Sequence, residues 1–195
     1  MTRSPQETLA LHLRSLKLPS FARGHEEMAQ QGEREGWSFG QYLHHLAELE
    51  LRDRHERKIE RLRRRSGLPA DKTLATLEQE RLPAPVRRQL PALCEGGFAE
   101  RAENVLAFGM PGRGKTHVVS AIGHELLQHG IPVLFVPAFV LVQRLLAAKR
   151  DLRLEAELRR LDRFDVVLVD DIGYVQQERE EMEVLFTFLA ERYER

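Results

Sequence analysis

Two short stretches of the sequence combine residue types in spacings suited to holding a phosphate chain. The first, GMPGRGKT, spans residues 109–116 and matches the pattern G-x-x-x-x-G-K-[ST]. In such a loop the glycines let backbone N–H groups point inward at phosphates, and the helix that follows adds its partial positive charge. Lys115 would reach the β- and γ-phosphates, and the Thr116 hydroxyl would ligate Mg²⁺. The pattern therefore predicts a nucleoside-triphosphate site.

The second stretch, DVVLVDD, covers residues 165–171 and ends on two adjacent carboxylates. Its four consecutive apolar residues predict a strand buried on both faces. A phosphate-binding loop of this kind shares its Mg²⁺ with an acid at the end of another buried strand. Asp170 is therefore predicted to hold the metal through water. Asp171 is predicted to orient or deprotonate the attacking water, although a second acid here can also serve only as a solvated side chain.

Strands and helices must alternate along this part of the chain if GMPGRGKT and DVVLVDD are to lie next to each other in the fold. Apolar runs and helical periodicity predict this order: strand 104–108, helix 115–128, strand 132–136, helical stretches across 139–160, strand 165–170 and helix 178–194. Such alternation predicts a parallel sheet between two layers of helices, which is a three-layer α/β domain.

The front of the chain follows a different pattern and is predicted to be all-helical. Leucines recur at helical spacing from Leu9 to Leu16, and Ser38 with Gln41 fits a capping box that opens a helix running to about Arg65. Prolines and glycines then become frequent. The predicted parts are a helical N-terminal domain over 1–66, a connector over 67–100 and a partial P-loop ATPase domain over 101–195.

Bulk composition excludes some classes of protein. Thirty basic and thirty acidic residues cancel, so net charge alone indicates no partner. The single cysteine, Cys94, cannot form an internal disulfide, which is typical of a reducing compartment. No apolar run approaches the roughly 20 residues of a membrane span, and the N-terminus lacks the apolar core of a signal peptide. These features predict a cytoplasmic protein without a membrane partner.

The charges are nevertheless unevenly distributed. Residues 51–65 carry eight basic and three acidic side chains, whereas residues 151–195 carry seven basic and thirteen acidic ones. The basic helix is predicted to bind DNA phosphates without reading sequence. Alternatively, it is a solvated face stabilised by ion pairs to Glu56 and Glu60. The candidate DNA contacts are Arg57, Lys58, Arg61, Arg63, Arg64 and Arg65.

The combined motifs resemble one family. GMPGRGKTH (109–117), VVLVDDIGYV (166–175) and EEMEVLFTFLAERYE (180–194) resemble the IstB-like transposition helper ATPases of the AAA+ superfamily, near the DnaA and DnaC branch. SFGQYLHHLAELELRDR (38–54) and SGLPADKTLATL (66–77) extend the resemblance over nearly the whole chain. It implies that ATP and Mg²⁺ are bound by Gly109, Met110, Pro111, Gly112, Arg113, Gly114, Lys115, Thr116 and His117.

The resemblance also implies roles and partners. Asp170 takes the place of the metal ligand, and Asp171 that of the usual catalytic glutamate, with Lys115 as the other catalytic residue. The implied partners are DNA, bound independently of sequence, and the transposase of the same insertion element. ATP-dependent assembly into a homo-oligomer is expected as well.

Other functions stay open beside this one. A helicase loader of the DnaC type uses the same core and differs in its front domain. A small-molecule kinase built on a P-loop needs an arginine-bearing lid, which is not evident here. An inactive, truncated nucleotide-binding remnant is a further alternative.

The resemblance raises an expectation about the sheet. In an AAA+ sheet a later strand lies between the P-loop strand and the Asp170 strand, and it carries a polar residue that senses the γ-phosphate. No such strand, helical lid or subunit-bridging arginine follows the last predicted helix. The expected fold is therefore an AAA+ sheet that is incomplete at its C-terminus, in the N-terminal part of a longer protein. The chain by itself is expected to bind nucleotide poorly or not to hydrolyse it at all. A compact variant with a three-stranded sheet is the alternative.

Overall fold

A computed structural model of the chain describes residues 5–174 and 178–193. The chain divides into two compact units, residues 1–58 and 59–195. The first is all-helical, as predicted, and the second contains the sheet. The predicted domain boundaries at residues 66 and 100 stay predictions. Among the described residues, no helix combines the length and apolar character that crossing a bilayer requires.

Three helices occupy the front of the chain: α1 (Pro5–Ser15), α2 (Pro19–Glu35) and α3 (Phe39–Ser66). Pro19 opens α2, where its missing N–H would have had no intrahelical partner. The capping box that opens α3 is confirmed. The backbone N–H of Ser38 donates to Oε1 of Gln41 at 2.8 Å, and the N–H of Gln41 donates to Oγ of Ser38 at 3.3 Å.

A buried carboxylate ties α2 to α3. Glu50 is 3% exposed and accepts hydrogen bonds from the Ser20 N–H and from Nε of Arg54, both at 2.8 Å. Burial by itself raises the pKa of the Glu50 carboxyl, but the hydrogen bonds from Arg54 and Ser20 outweigh it, so the pKa lies below its ordinary value. A charged group can be buried here because its oxygens are paired.

The second unit has a parallel sheet of two strands in its described part. The strands are β1 (Val133–Pro137) and β2 (Val166–Asp170), in register from Val133 opposite Val166 to Pro137 opposite Asp170. The α/β prediction is confirmed. The helices around the sheet are α4 (Ala84–Glu95), α5 (Gly97–Glu100), α6 (Lys115–Gln128), α7 (Ala138–Arg150), α8 (Leu154–Leu161) and α9 (Arg179–Tyr193). Residue 194, the predicted end of the last helix, lies outside the described residues.

Helices cover both faces of this sheet. Val133 and Val166 pack in a cluster with Ile122, Leu126 and Leu127 of α6. The alternate strand positions face a second cluster, built largely from α7, α8 and α9. Because side chains alternate along a strand, each strand contributes to both clusters. The three-layer arrangement is thereby confirmed.

The predicted strand at 104–108 is wrong for this structure. These residues form no strand, and Val105, Leu106 and Phe108 are 46%, 75% and 87% exposed. A strand is held by ladder hydrogen bonds to a neighbour and by packing of its faces. The segment has neither within the described residues, where β1 and β2 pair only with each other. Apolar, β-branched composition alone did not produce a strand, and the three-stranded alternative fails with it.

Candidate nucleotide site and basic helix

The glycine-rich loop ends where α6 begins at Lys115, as the sequence predicts. Gly112 and Gly114 take left-handed conformations, with φ of 73° and 80°. Any residue with a Cβ would be strained in that region, so glycine is required at these two turns. The curl directs the chain into the first turn of α6, whose leading N–H groups have no partner within the helix. The loop is therefore built like an anion site.

Lys115 places a positive charge inside this loop. Its Nζ donates hydrogen bonds to the carbonyl oxygens of Gly109 at 2.9 Å and Met110 at 3.1 Å. Among the described residues, no carboxylate forms an ion pair with this ammonium. Arg113 is exposed at the same loop. The Lys115 ammonium and the N-terminus of α6 thus lie together where the sequence predicts triphosphate binding.

The two predicted halves of the site meet through one hydrogen bond. Oγ1 of Thr116 donates to Oδ1 of Asp170 at 3.2 Å, which joins the first turn of α6 to the carboxyl end of β2. Two oxygens on neighbouring positions of an octahedral Mg²⁺, each about 2.1 Å from it, lie about 3 Å apart. The spacing would therefore suit a Mg²⁺ ion held by both oxygens directly, whereas the contact of Asp170 with the metal through water stays a prediction.

Further metal ligands would have to come from phosphates and water. The described part of the chain holds no group of three or more His, Cys, Asp or Glu side chains suited to a metal. Mg²⁺ in nucleotide sites is commonly held by one or two protein oxygens together with substrate phosphates. The residues present fit that mode of binding rather than an all-protein cage.

Asp171 differs from Asp170 in its surroundings. It is exposed and has a left-handed φ of 57°, so the chain turns sharply directly after β2. Aspartate tolerates this conformation better than most residues. No hydrogen bond or ion pair of its side chain occurs among the described residues. Asp170 is thus the fixed carboxylate of the pair, and Asp171 is the one free to contact a water molecule.

His117 faces the connector. Its Nε2 lies 3.1 Å from Oγ1 of Thr76 and 3.2 Å from the carbonyl oxygen of Thr73. About two turns further along the same face of α6, Nε2 of His124 lies 3.0 Å from the carbonyl oxygen of Pro69. The resemblance groups His117 with the nucleotide-binding residues, whereas the structure uses it to attach the connector to α6. Sequence reasoning missed this anchor, because a threonine turn and a histidine over forty residues apart carry no local signal.

Half of the basic residues predicted to contact DNA have ion-pair partners within the chain. Arg57 pairs with the Glu50 carboxylate at 3.4 Å. Arg63 and Arg64 both pair with Glu60, at 3.4 Å and 2.8 Å. The exposed pairs to Glu60 contribute little to stability, but all three pairs reduce the charge available to a phosphate. The alternative of a helix face paired to Glu60 therefore holds for Arg63 and Arg64. Arg57 is paired to Glu50 instead, and no ion pair of Glu56 occurs among the described residues.

The other three candidate DNA contacts have fewer partners among the described residues. The guanidinium of Arg65 lies 5.7 Å from the ring centroid of Phe164, which is a cation–π contact. Lys58 and Arg61 are exposed, and neither has an ion pair or a side-chain hydrogen bond among the residues that the structure describes. DNA contact by this helix stays a prediction, and Lys58 and Arg61 are its best-placed cations.

Comparison with known proteins covers almost the whole chain. A family model described as "IstB-like ATP binding protein" matches residues 11–195. An insertion sequence ATP-binding protein of Sinorhizobium fredii is 38% identical over 188 residues, which are 96% of this chain and 63% of the relative. The IS21 ATP-binding protein of Pseudomonas aeruginosa is 33% identical over 187 residues, 96% of this chain and 71% of the relative.

A helicase loader is also similar. The replicative helicase loader DnaC of Buchnera aphidicola is 27% identical over 141 residues, covering 69% of this chain and 57% of the loader. The present chain thus spans less than two thirds of the length of the Sinorhizobium relative and of the loader.

Proposed function

Because this chain belongs to the IstB-like ATP-binding proteins, we propose that it binds ATP and Mg²⁺ and acts on DNA with the transposase of an insertion sequence. The observation that carries the nucleotide part is the 3.2 Å contact between Thr116 and Asp170. It brings the phosphate-binding loop and a strand-end carboxylate to one place. The relatives' names, which describe insertion sequence ATP-binding proteins, support the transposition part.

Each side chain of the site has a proposed task. Lys115 and the N–H groups of the loop bind the phosphates, and Thr116 with Asp170 holds Mg²⁺. Mg²⁺, when bound, would neutralise the negative charge on the phosphate oxygens. Asp171, exposed beside this pair, orients a water molecule or takes its proton. Asp171 stands in the place of the usual catalytic glutamate and has a shorter side chain, so we expect slow hydrolysis.

Nucleotide binding by this chain is proposed to be weak. The segment that leads into the loop, 104–108, is exposed and forms no strand. The loop is therefore held only from its other end, by α6 and by the contacts of Lys115 and Thr116. Ordering the leading segment on binding costs conformational entropy, which lowers the affinity.

The Thr116 hydroxyl provides a sharp test of the nucleotide site. We expect Thr116→Val, which keeps the shape and removes the hydroxyl, to abolish the effect of Mg²⁺ on ATP binding. Thr116→Ser, which keeps the hydroxyl, should retain that effect. Titration of a fluorescent ATP analogue with and without Mg²⁺ measures both variants against the parent chain. If Thr116→Val retains the full Mg²⁺ effect, the proposed metal site is wrong.

DNA binding is proposed to be electrostatic and independent of sequence. The relevant cations of the basic helix are Lys58 and Arg61, whose side chains have no ion pair or hydrogen bond in the described part of the chain. We expect Arg61→Glu to weaken binding equally on unrelated duplexes and to reduce its dependence on salt concentration. Arg63→Glu, on the same helix but ion-paired to Glu60, is the matched control and should have the smaller effect. Equal effects of the two variants in an anisotropy titration would reject this assignment.

The partner distinguishes the transposition role from helicase loading. The similarity to a helicase loader makes loading the second candidate. Size-exclusion chromatography with ATP, Mg²⁺ and either purified transposase or purified replicative helicase separates the two. We expect a complex with the transposase, and in its absence an ATP-dependent homo-oligomer. A complex formed only with the helicase would favour the second candidate.

A further inference from the structure

Part of the connector runs along α6 toward the candidate nucleotide site. Leu68 packs at Gly123, where an added Cβ would lie 2.9 Å from a methyl carbon of that leucine. Further along the connector, the threonine turn at 73–76 reaches His117 in the first turn of α6. The direction is therefore from the middle of α6 toward its beginning. We call residues 67–77 the strap, because they contact α6 at separate points.

Two histidines of α6 hold the strap through the same ring nitrogen. His117 and His124 lie seven positions apart, so they share one face of the helix. Nε2 of His117 lies 3.2 Å from the carbonyl oxygen of Thr73, and Nε2 of His124 lies 3.0 Å from that of Pro69. A carbonyl oxygen only accepts hydrogen bonds, so Nε2 carries the proton and donates in both contacts. Each anchor therefore depends on an N–H group.

The turn that His117 contacts is organised around one hydroxyl. Oγ1 of Thr76 donates to the carbonyl oxygen of Asp71 at 2.6 Å and accepts from the Thr73 N–H at 3.0 Å. Its single proton is thereby used, so the His117 ring, at 3.1 Å, donates to this oxygen as well. The turn is thus closed by its own hydrogen bonds, and the ring attaches it to α6.

The first turn of α6 has little other support. All buried residues of α6 lie at Ser120 or beyond, whereas residues 115–119 are only half-buried. The segment that leads into the loop, 104–108, is exposed and forms no strand. A helix end that few buried contacts hold opens locally at a low cost in free energy. Opening of this turn would move the Thr116 hydroxyl away from Asp170.

We propose that His117 is a positioning residue of the nucleotide site. By holding the strap to the first turn of α6, its ring keeps the Thr116 hydroxyl directed at Asp170, where Mg²⁺ is proposed to bind. The inference rests on the proposed nucleotide function and gives His117 a role other than contact with phosphate. Because coupling between two sites is reciprocal, occupancy of the nucleotide site also tightens the strap on α6.

Two substitutions at His117 separate the N–H group from the ring. His117→Phe keeps a ring and removes the donor, whereas His117→Gln keeps a side-chain N–H donor. We expect His117→Phe to raise the Mg²⁺ concentration needed to bind a fluorescent ATP analogue about three- to tenfold, because the competent geometry is populated less often. His117→Gln should restore the Mg²⁺ dependence of the parent chain.

The second anchor provides the matched control. His124→Phe removes the same kind of hydrogen bond about two turns further along α6. It should lower the melting temperature about as much as His117→Phe does, while leaving the Mg²⁺ dependence of binding unchanged. Thr76→Val removes the same anchor from the side of the strap. We expect the double variant with His117→Phe to shift the Mg²⁺ dependence no further than either single change.

Hydrogen–deuterium exchange tests the reciprocal effect in the parent chain. ATP with Mg²⁺ should slow exchange over residues 71–76, and it should fail to do so in His117→Phe. If exchange over 71–76 in the parent chain does not respond to nucleotide that is bound, the positioning role is wrong, and this result requires no variant to fold.

The outcomes distinguish the inference from the function beneath it. If the parent chain binds the ATP analogue with Mg²⁺ and His117→Phe shifts the Mg²⁺ dependence no more than His124→Phe, the positioning role is wrong and nucleotide binding stands. If Mg²⁺ has no effect on binding by the parent chain, the proposed metal site itself fails, and the role of His117 fails with it.

Discussion

Two segments of similar composition lead to the two halves of the candidate nucleotide site, and they have different structures. NVLAF, residues 104–108, precedes the phosphate-binding loop, and VVLVD, residues 166–170, ends on Asp170. The second is strand β2, paired along its length with β1 and covered by helices on both faces. The first is an exposed segment without regular structure.

The difference shows that strand formation here depends on neighbours rather than on composition. β2 is held by a ladder and by two core clusters, whereas 104–108 has no ladder partner in the described chain. In the candidate site, Asp170 therefore lies on a formed sheet. The phosphate-binding loop is held near Asp170 by side-chain contacts, those of Lys115 with the loop and of Thr116 with Asp170.

The largest expected contrast is in stability. Leu134→Ala removes a leucine that is 8% exposed in β1, and we expect it to lower the free energy of unfolding by about 2–5 kcal/mol. Leu106→Ala makes the same change in the exposed segment and should alter it by less than about 0.5 kcal/mol. Urea denaturation measures both. A large loss for Leu106→Ala would mean that 104–108 is packed in solution.

Loss of the loop lysine should have the next largest effect. Lys115→Ala removes a charge placed at the loop carbonyls, and charge-assisted hydrogen bonds contribute about 1.5–3 kcal/mol. We expect the affinity for ATP to fall by about tenfold or more. Lys58→Ala, the same change away from the loop, is the control for fluorescence titration. Unchanged affinity in Lys115→Ala would remove the phosphate-binding assignment.

Substitutions of Asp170 and Asp171 should affect different properties, the first Mg²⁺ dependence and the second ATP turnover. Asp170→Asn removes the negative charge of the group that accepts the hydrogen bond from Thr116. We expect the Mg²⁺ concentration needed for nucleotide binding to rise about 10- to 100-fold. Asp171→Asn should leave that concentration nearly unchanged and slow any turnover of ATP. Mg²⁺ titrations at fixed ATP analogue measure the first effect, and phosphate release measures the second. Equal shifts in Mg²⁺ dependence would contradict the division of roles.

Local signals predicted much of this structure. The capping box at Ser38, the start of α6 at Lys115 and the end of β2 at Asp170 each follow from residues within a few positions. The proximity of Thr116 and Asp170 was predicted from the combination of a P-loop motif with an acid at the end of a buried strand.

Other features depend on distant or conformational information. Residues 104–108 have strand-forming composition, but the presence of a paired strand decides the outcome. The ring of His117 is directed by Thr73 and Thr76 in the connector. Leu152 is an ordinary helix-forming residue by type, so its left-handed backbone and its exposure appear only in the structure.

Hydrogen–deuterium exchange, measured with and without saturating ATP and Mg²⁺, tests the central claim most directly. The claim is that a nucleotide site forms between a fixed β2 and a loop whose leading segment is outside the sheet. Without nucleotide, we expect rapid exchange over 104–108 and slow exchange over 166–170. With nucleotide, exchange over 109–118 should slow. Slow exchange over 104–108 from the start, or no change over 109–118 at saturation, would contradict the account.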